Sequence, residues 1–189
     1  MYPEFVFELQ DESGFHIDWR SNGTICFPAA GQSPTSGPSA KYQTPAQINE
    51  LEPALSPVSR SAVFLSESCV DPRDLVRACQ EAAKHRGVNF SSGDPVTSIN
   101  ISDSHVTGVT TTKTSFSSEV VVNCAGAWAG EFAPLSFPTR PVKGQMLSVV
   151  MPTKSPLKHV VRSPDVYLIP RSTGRLVIGA TVEEAGFDK

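Results

Sequence analysis

A run of branched apolar residues that gives way abruptly to small ones is the feature that most constrains this chain. Residues 120–130 read VVVNCAGAWAG. Three consecutive valines are typical of a strand covered on both faces, because the strands of parallel sheets carry continuous apolar runs. The sequence therefore predicts a buried strand over 119–124. The small residues from Ala125 to Gly130 lie just past its end, where they admit either a closely packed helix or a bound ligand.

The clearest helix lies before this strand and is predicted over residues 72–86. Asp71 suits the N-cap position, Pro72 suits the first helical position, and Gly87 is a typical residue to end a helix. The 3.6-residue period predicts one apolar face, made of Leu75, Val76, Cys79, Ala82 and Ala83.

The N-terminal third alternates short predicted elements with turn residues. Residues 2–10 predict a helix that Gly14 ends, and Asn22-Gly23 predicts a hairpin turn between two short strands. Residues 28–46 are rich in Pro, Ser and Gly and predict an exposed loop. A short helix with its first turn at Pro45 follows this loop.

The second half of the chain is predicted to be mostly strand. Four short strands are expected after Gly87, with the sequences VNFSS, VTSINIS, HVTGVTTT and EVVVNCAGA. A β-meander that follows a helix and returns to a buried strand is α/β or α+β organisation. A hairpin around residues 172–174, in which Leu176 and Ile178 share a face, predicts a separate antiparallel sheet near the C-terminus.

Composition excludes several classes of function. A net charge of −3 without a Lys/Arg cluster argues against nucleic acid and against a membrane surface. No apolar stretch approaches the roughly 18 residues of a membrane-spanning helix, and no signal peptide is recognisable, so we expect a cytoplasmic protein. The four cysteines form no Cys-x-x-Cys pair and predict reduced thiols, and the four histidines show no spacing typical of metal ligands.

Four segments occur in an order that resembles the FAD-dependent amine and amino-acid oxidoreductases of the D-amino-acid oxidase superfamily, especially its glycine oxidases. They read LVRACQEAAKHRGVNF, VVVNCAGAWAGEF, RPVKGQMLSV and VYLIPRSTGRLVIGATVEEAGFD. The resemblance implies part of an FAD-binding Rossmann-like domain with a β-meander, and part of an antiparallel-sheet substrate domain. Residues 61–135 would be the centre of the FAD-binding domain, whereas residues 1–60 and 136–189 would belong to the substrate domain.

The resemblance also implies where FAD would lie. Cys124, Ala125 and Gly126 would lie near the ADP half of the cofactor, where small residues let the dinucleotide pass close to the backbone. Val96 matches the position whose main-chain groups bind the adenine edge in glycine oxidases. From the residues alone, the small run serves helix packing equally well, and Val96 is a half-buried strand residue whatever the ligand.

Tyr167 is the candidate substrate-binding side chain. In VYLIPR it resembles the tyrosine whose hydroxyl points at the substrate carboxylate in glycine oxidases, although amphipathic packing is the usual role of a strand tyrosine. Arg171 and Arg175 flank the hairpin loop and could clamp a carboxylate. Their loop position favours solvated surface charges instead.

Two further features of the family are missing from this sequence. It contains no Gly-x-Gly-x-x-Gly turn to hold the pyrophosphate, and no acidic residue placed to bind the ribose. The sequence therefore predicts a central fragment of an oxidoreductase that transfers a hydride from a small amino acid or amine to FAD, with no catalysis by the isolated chain. The alternative is a non-catalytic interaction module without a cofactor.

Overall fold

The computed structural model describes residues 2–29, 31–32, 40–55, 57–132, 134, 137–152 and 157–187. The chain divides into two compact units. Unit 1 comprises Met1–Val88 and Gln145–Thr181, and unit 2 comprises Asn89–Gly144 and Val182–Lys189. The mixed α and β organisation predicted from the sequence is confirmed.

The elements of the described residues are three α-helices, twelve strands and one 3-10 helix. In chain order they are α1 (Tyr2–Ser13), β1 (Trp19–Arg20), β2 (Thr24–Cys26), β3 (Ala40–Gln43), α2 (Pro45–Leu51), β4 (Ala62–Leu65), β5 (Cys69–Val70), α3 (Pro72–His85), β6 (Val96–Ser102), β7 (His105–Thr111), β8 (Ser115–Ser117), the 3-10 helix (Gly126–Glu131), β9 (Leu147–Val150), β10 (Val160–Arg162), β11 (Tyr167–Pro170) and β12 (Arg175–Gly179).

The predicted helix over 72–86 is confirmed as α3, and its ends form as the sequence indicates. The Asp71 carboxylate accepts a hydrogen bond of 2.9 Å from the Arg73 amide, which satisfies one of the open donors of the first turn. Gly87, at a φ of +78°, follows the last turn. These caps are local in sequence, and this is why they could be predicted.

The buried face of α3 is narrower than the sequence predicted. Ala78 and Ala82 are buried against Val6 and Leu9 of α1, whereas Val76 is 54% exposed. Ala78 and Ala82 lie one helical turn apart, and their small side chains let α3 pack closely against α1. The face of α3 that carries these two alanines is therefore the buried face. The inclusion of Val76 in the apolar face was therefore wrong.

A seven-stranded sheet forms the centre of unit 1, in the order β3-β4-β2-β10-β11-β12-β9. The pairing of β2 with β10 is parallel, and the other five pairs are antiparallel. The predicted hairpin around 172–174 is confirmed as β11 and β12, with Leu176 in the core and Ile178 packed against it. The C-terminal strands are not a separate sheet, because β10 pairs with β2 from the first part of the chain.

The hairpin predicted at Asn22-Gly23 was wrong. Strand β1, which precedes this dipeptide, pairs with β5 in a two-stranded sheet, whereas β2 pairs with β4 and β10. Gly23 does adopt a φ of +86°, and a Cβ there would lie 2.8 Å from a ring carbon of Phe64. Gly23 thus allows close packing against Phe64 and does not form a hairpin turn, because the strands on either side of it pair with strands that are distant in sequence.

The short helix α2 begins at Pro45, as predicted, after Thr44 as its N-cap. It covers one face of the sheet, where Ile48 packs in a core with Ile25, Phe27 and Val161. The preceding loop prediction over 28–46 is wrong in part, because Ala40–Gln43 forms β3 along β4. Residues 30 and 33–39 of that loop lie outside the described residues.

Unit 2 contains the predicted β-meander, formed by β6, β7 and β8. Asp103 and Ser104 join the first two strands at φ values of 48° and 64°, as a two-residue hairpin turn of the primed type requires. Strand β8 was not predicted. It lies so close to Gly108 that a Cβ there would overlap the carbonyl of Phe116. The segment VNFSS, predicted as a strand, is irregular.

Candidate functional site

An apolar cleft of about 130 Å³ lies within unit 2. One side is formed by the β-meander and the other by the segment that follows it, and Phe132 also lines the cleft. The lining residues are Val96, Ile99, Val109, Val121, Val122, Asn123, Cys124, Ala125 and Phe132. No charged side chain is among them, so the cleft favours a flat apolar group over an ion.

The valine-rich segment is extended but is not the buried strand that the sequence predicted over 119–124. Val120 and Val122 are 74% and 77% exposed, and the described residues place no strand ladder along this segment. A covered parallel strand requires hydrogen-bonded neighbours on both sides. The described strands of unit 2 pair only among themselves, so the run of valines has no sheet to enter.

Asn123 fixes the exit from this segment. Its side-chain amide donates to the Ala129 carbonyl at 2.9 Å, and its side-chain oxygen accepts from the Ala125 amide at 3.1 Å. These two bonds anchor the start of the 3-10 helix, and the neighbouring residues on either side line the cleft. Sequence reasoning missed Asn123, although an Asn just before a run of small residues is a signal for a turn of this kind.

Three of the four residues predicted to contact FAD line the same cleft. Val96 contributes from the start of β6, and Cys124 and Ala125 contribute from the segment after Val122. Gly126 is not among the lining residues. It begins the 3-10 helix at a φ of +56°, with open space where a side chain would lie.

The residues of the cleft fit the adenosine end of FAD better than the whole cofactor. Its volume is below the roughly 300–1,000 Å³ of a typical ligand pocket, so it has room for only part of a dinucleotide. Within the described part of the chain, the backbones of Val121 and Val122 make no hydrogen bonds, so polar groups line an apolar wall. An adenine ring combines an apolar face with a polar edge and matches both.

Tyr167 lies in unit 1, at the start of β11, directly opposite Gly179 of β12. A Cβ at Gly179 would lie 2.5 Å from the Tyr167 hydroxyl oxygen, so the Tyr167 ring packs directly against the Gly179 backbone. The hydroxyl donates to the Met146 sulfur at 3.0 Å. A thioether is a weak acceptor, so a carboxylate would replace it readily. Tyr167 is half-buried, which leaves both the packing role and the binding role open.

The two arginines of the hairpin loop have different environments. Arg175 is exposed, as predicted, and its Nε donates to the Ser148 hydroxyl. Arg171 is only 8% exposed, so the prediction of a solvated charge was wrong. Its Nε lies 3.7 Å from an Asp71 carboxylate oxygen, and this contact joins the loop to the N-cap of α3. The buried Arg171 thus lies beside a residue from a distant part of the chain, which a local sequence pattern does not reveal.

Other kinds of site find no support in the described residues. They contain no group of three or more His, Cys, Asp or Glu side chains that could hold a metal ion. None of their helices combines the length and the apolar character needed to cross a bilayer. All four cysteines are free thiols, and burial raises the pKa of Cys69.

Residues 2–189 match the family described as DAO, FAD dependent oxidoreductase. The bifunctional protein ThiO/ThiG of Synechocystis sp. is 32% identical over 188 residues, which are 97% of this chain and 28% of that protein. The glycine oxidase of Pseudomonas putida is 26% identical over 200 residues, which cover the whole chain and 54% of that protein.

Solved structures show the same relationship. Glycine oxidase from Geobacillus kaustophilus aligns with a TM-score of 0.86 at 26% identity, over 99% of this chain and 54% of that one. Glycine oxidase from Bacillus cereus aligns with a TM-score of 0.87 at 25% identity, over 99% and 56%. The chain thus spans about half the length of the glycine oxidases it matches. Sequence and fold together show that this chain belongs to the DAO family of FAD-dependent oxidoreductases.

Proposed function

We propose that this chain is part of an FAD-dependent oxidoreductase that oxidises the amine of a small amino acid, and that unit 2 holds the adenosine end of FAD. The observation that carries the proposal is the cleft itself. Val96 is far in sequence from the adjacent pair Cys124 and Ala125, and all three were chosen on a family resemblance, yet they line the same cleft. Membership of an FAD-dependent family supports the choice of cofactor.

The protein's own contribution to cofactor binding would be shape and backbone polarity. Val96, Ile99 and Val109 offer an apolar wall for one face of the adenine ring. The extended backbone at Val121 and Val122 offers amide and carbonyl groups to its polar edge. Ala125 keeps side-chain bulk away from the segment along which the rest of the nucleotide would run.

When bound, FAD would supply the acceptor of the hydride. The substrate carbon would lose the hydride and its nitrogen a proton, and water would hydrolyse the resulting imine to a carbonyl compound and ammonia or an amine. Tyr167 would orient the substrate by donating a hydrogen bond from its hydroxyl to a carboxylate oxygen. No nucleophilic side chain is required, so positioning and exclusion of water are the tasks left to the chain.

The test is the visible spectrum of the purified chain after FAD is added and the excess is removed by gel filtration. We expect the absorption bands of bound flavin in the blue. A colourless protein would refute FAD binding by this chain. A yellow chain without turnover would fit the expected central fragment, peroxide release from glycine, sarcosine or D-alanine would show catalysis by the chain itself, and a colourless chain would favour the alternative of a non-catalytic module without a cofactor.

A further inference from the structure

One row of side chains crosses the seven-stranded sheet at the level of Tyr167. The register places Tyr167 opposite Arg162, Arg162 opposite Cys26, and Cys26 opposite Val63. Residues directly opposite each other on neighbouring strands project from the same face, with Cβ atoms about 5 Å apart. Arg162 is therefore the immediate neighbour of Tyr167 on one face of the sheet.

A cleft of about 440 Å³ opens beside Arg162, on the side of β10 that faces β2 and β4, and Tyr167 is not among its lining residues. Arg162, Cys26, Val63, Leu65 and Pro164 are among its lining residues. The volume falls within the roughly 300–1,000 Å³ of a typical small-molecule pocket. Most of the described residues that line it are apolar, and Arg162 is the one permanently charged side chain among them.

The guanidinium of Arg162 is available to a ligand. Its side chain is 46% exposed, and the Glu67 carboxylate lies 3.9 Å away, beyond hydrogen-bond distance. An exposed ion pair of this length contributes little, so a ligand carboxylate could replace Glu67 at small cost. A hydrogen bond with the Cys26 side chain raises the pKa of Arg162. The group therefore remains a cation that offers paired donors to a carboxylate.

We propose that Arg162 binds a second carboxylate of the substrate, so that this face of the sheet selects amino acids or amines with two carboxylate groups. The inference rests on the proposed function, since Tyr167 would hold the first carboxylate. The carbon chain between the two carboxylates would bridge β11 and β10, and the apolar side chains of Val63 and Leu65 would lie beyond the second carboxylate, on the far side of Arg162 from Tyr167. Arg162 would be a specificity-determining residue, with no part in the transfer of hydride.

The binding test compares two secondary amines that differ by one carboxylate. Iminodiacetate and N-methylglycine are titrated into the full chain, and chemical-shift changes give each Kd. We expect iminodiacetate to bind at least tenfold more tightly, a difference of about 1.4 kcal/mol. Equal affinities, or tighter binding of N-methylglycine, would overturn the assignment. This comparison needs no variant, so a folding defect in a variant cannot leave it unresolved.

A matched pair of variants places the effect at one residue. Arg162→Gln is expected to lower the affinity for iminodiacetate tenfold or more and to leave that for N-methylglycine within twofold. Arg175→Gln removes the same charge from an exposed position on the same sheet and is expected to change neither. An equal loss in both variants, or for both ligands, would contradict a specific contact with Arg162.

A flavin titration of the same samples separates this inference from the proposed function. A chain that binds FAD but shows no preference for iminodiacetate contradicts the role of Arg162 alone. A chain that binds no FAD refutes the proposed function, and the role of Arg162 as a substrate residue falls with it.

Discussion

Replacement of Glu52 by alanine tests whether a buried carboxylate holds the strand that carries Arg162. Glu52 follows α2 and is fully buried. One of its oxygens, Oε2, accepts hydrogen bonds from the amides of Lys158 and His159 at 2.8 and 3.0 Å, and His159 Nδ1 lies 3.1 Å away. These residues lead directly into β10. The carboxylate thereby ties the end of a helix to the start of a central strand.

The expected loss of stability follows from these contacts. Each hydrogen bond to a charged group contributes about 1.5–3 kcal/mol, and the alanine would leave two amides without their acceptor. Relief of carboxylate burial offsets part of this, because Oε1 has no partner among the described residues. We expect a net loss of about 3 kcal/mol, which corresponds to a fall in Tm of about 6–12 °C for a chain of this size.

The assay is thermal unfolding followed by circular dichroism at neutral pH. Glu50→Ala is the matched control, since it removes the same residue type from an exposed position on α2. Glu52→Gln keeps an acceptor oxygen and is expected to cost less than half as much as the alanine. If Glu52→Ala lowered Tm no more than Glu50→Ala, the carboxylate would not be the tie that its contacts indicate.

Two smaller perturbations test other contacts. Gly179→Ala places a methyl group against the Tyr167 ring. We expect it to lower the free energy of unfolding, measured by chemical denaturation, by about 1–3 kcal/mol and to change the near-UV circular dichroism of Tyr167. An unchanged free energy of unfolding and an unchanged spectrum would contradict the close packing. The hydrogen bond from Arg86 lowers the pKa of Glu12 below its ordinary value of 4.5, so this pair stabilises the fold above that pH and less so as pH falls through the lowered pKa. At low salt, Arg86→Gln should weaken the fall in the free energy of unfolding as the pH is lowered through the acid range. An unchanged pH dependence would argue against a stabilising Glu12–Arg86 pair.

The parts of the fold that were predictable are those decided within a few residues of chain. The caps of α3 at Asp71 and Gly87, and the hairpin around 172–174, depend on local hydrogen bonds and turn conformations. Val96, Cys124, Ala125 and Gly126 were assigned to FAD by resemblance to a family, and the first three of them line one cleft. The sequence positions of Val96 and Cys124 alone could not have brought these two residues together.

The failures share a physical cause, because in each case a distant partner decided the outcome. Strand β1 pairs with β5 instead of with β2, so Asn22-Gly23 does not form the hairpin turn that the sequence predicted. Arg171 is buried beside Asp71, a residue that lies far away in sequence. The apolar run that includes Val120 predicts a covered strand, yet coverage depends on neighbouring strands that the run itself cannot specify.

The most direct test of the central claim is a titration of the chain with FAD, compared with a variant whose cleft is filled. Ala125→Leu adds bulk inside the cleft, and Ala127→Leu adds the same bulk in the 3-10 helix, outside the lining residues. We predict saturable binding to the original chain and to Ala127→Leu, with affinity at least tenfold lower for Ala125→Leu. Equal binding by all three proteins would contradict the placement of the adenosine end in this cleft.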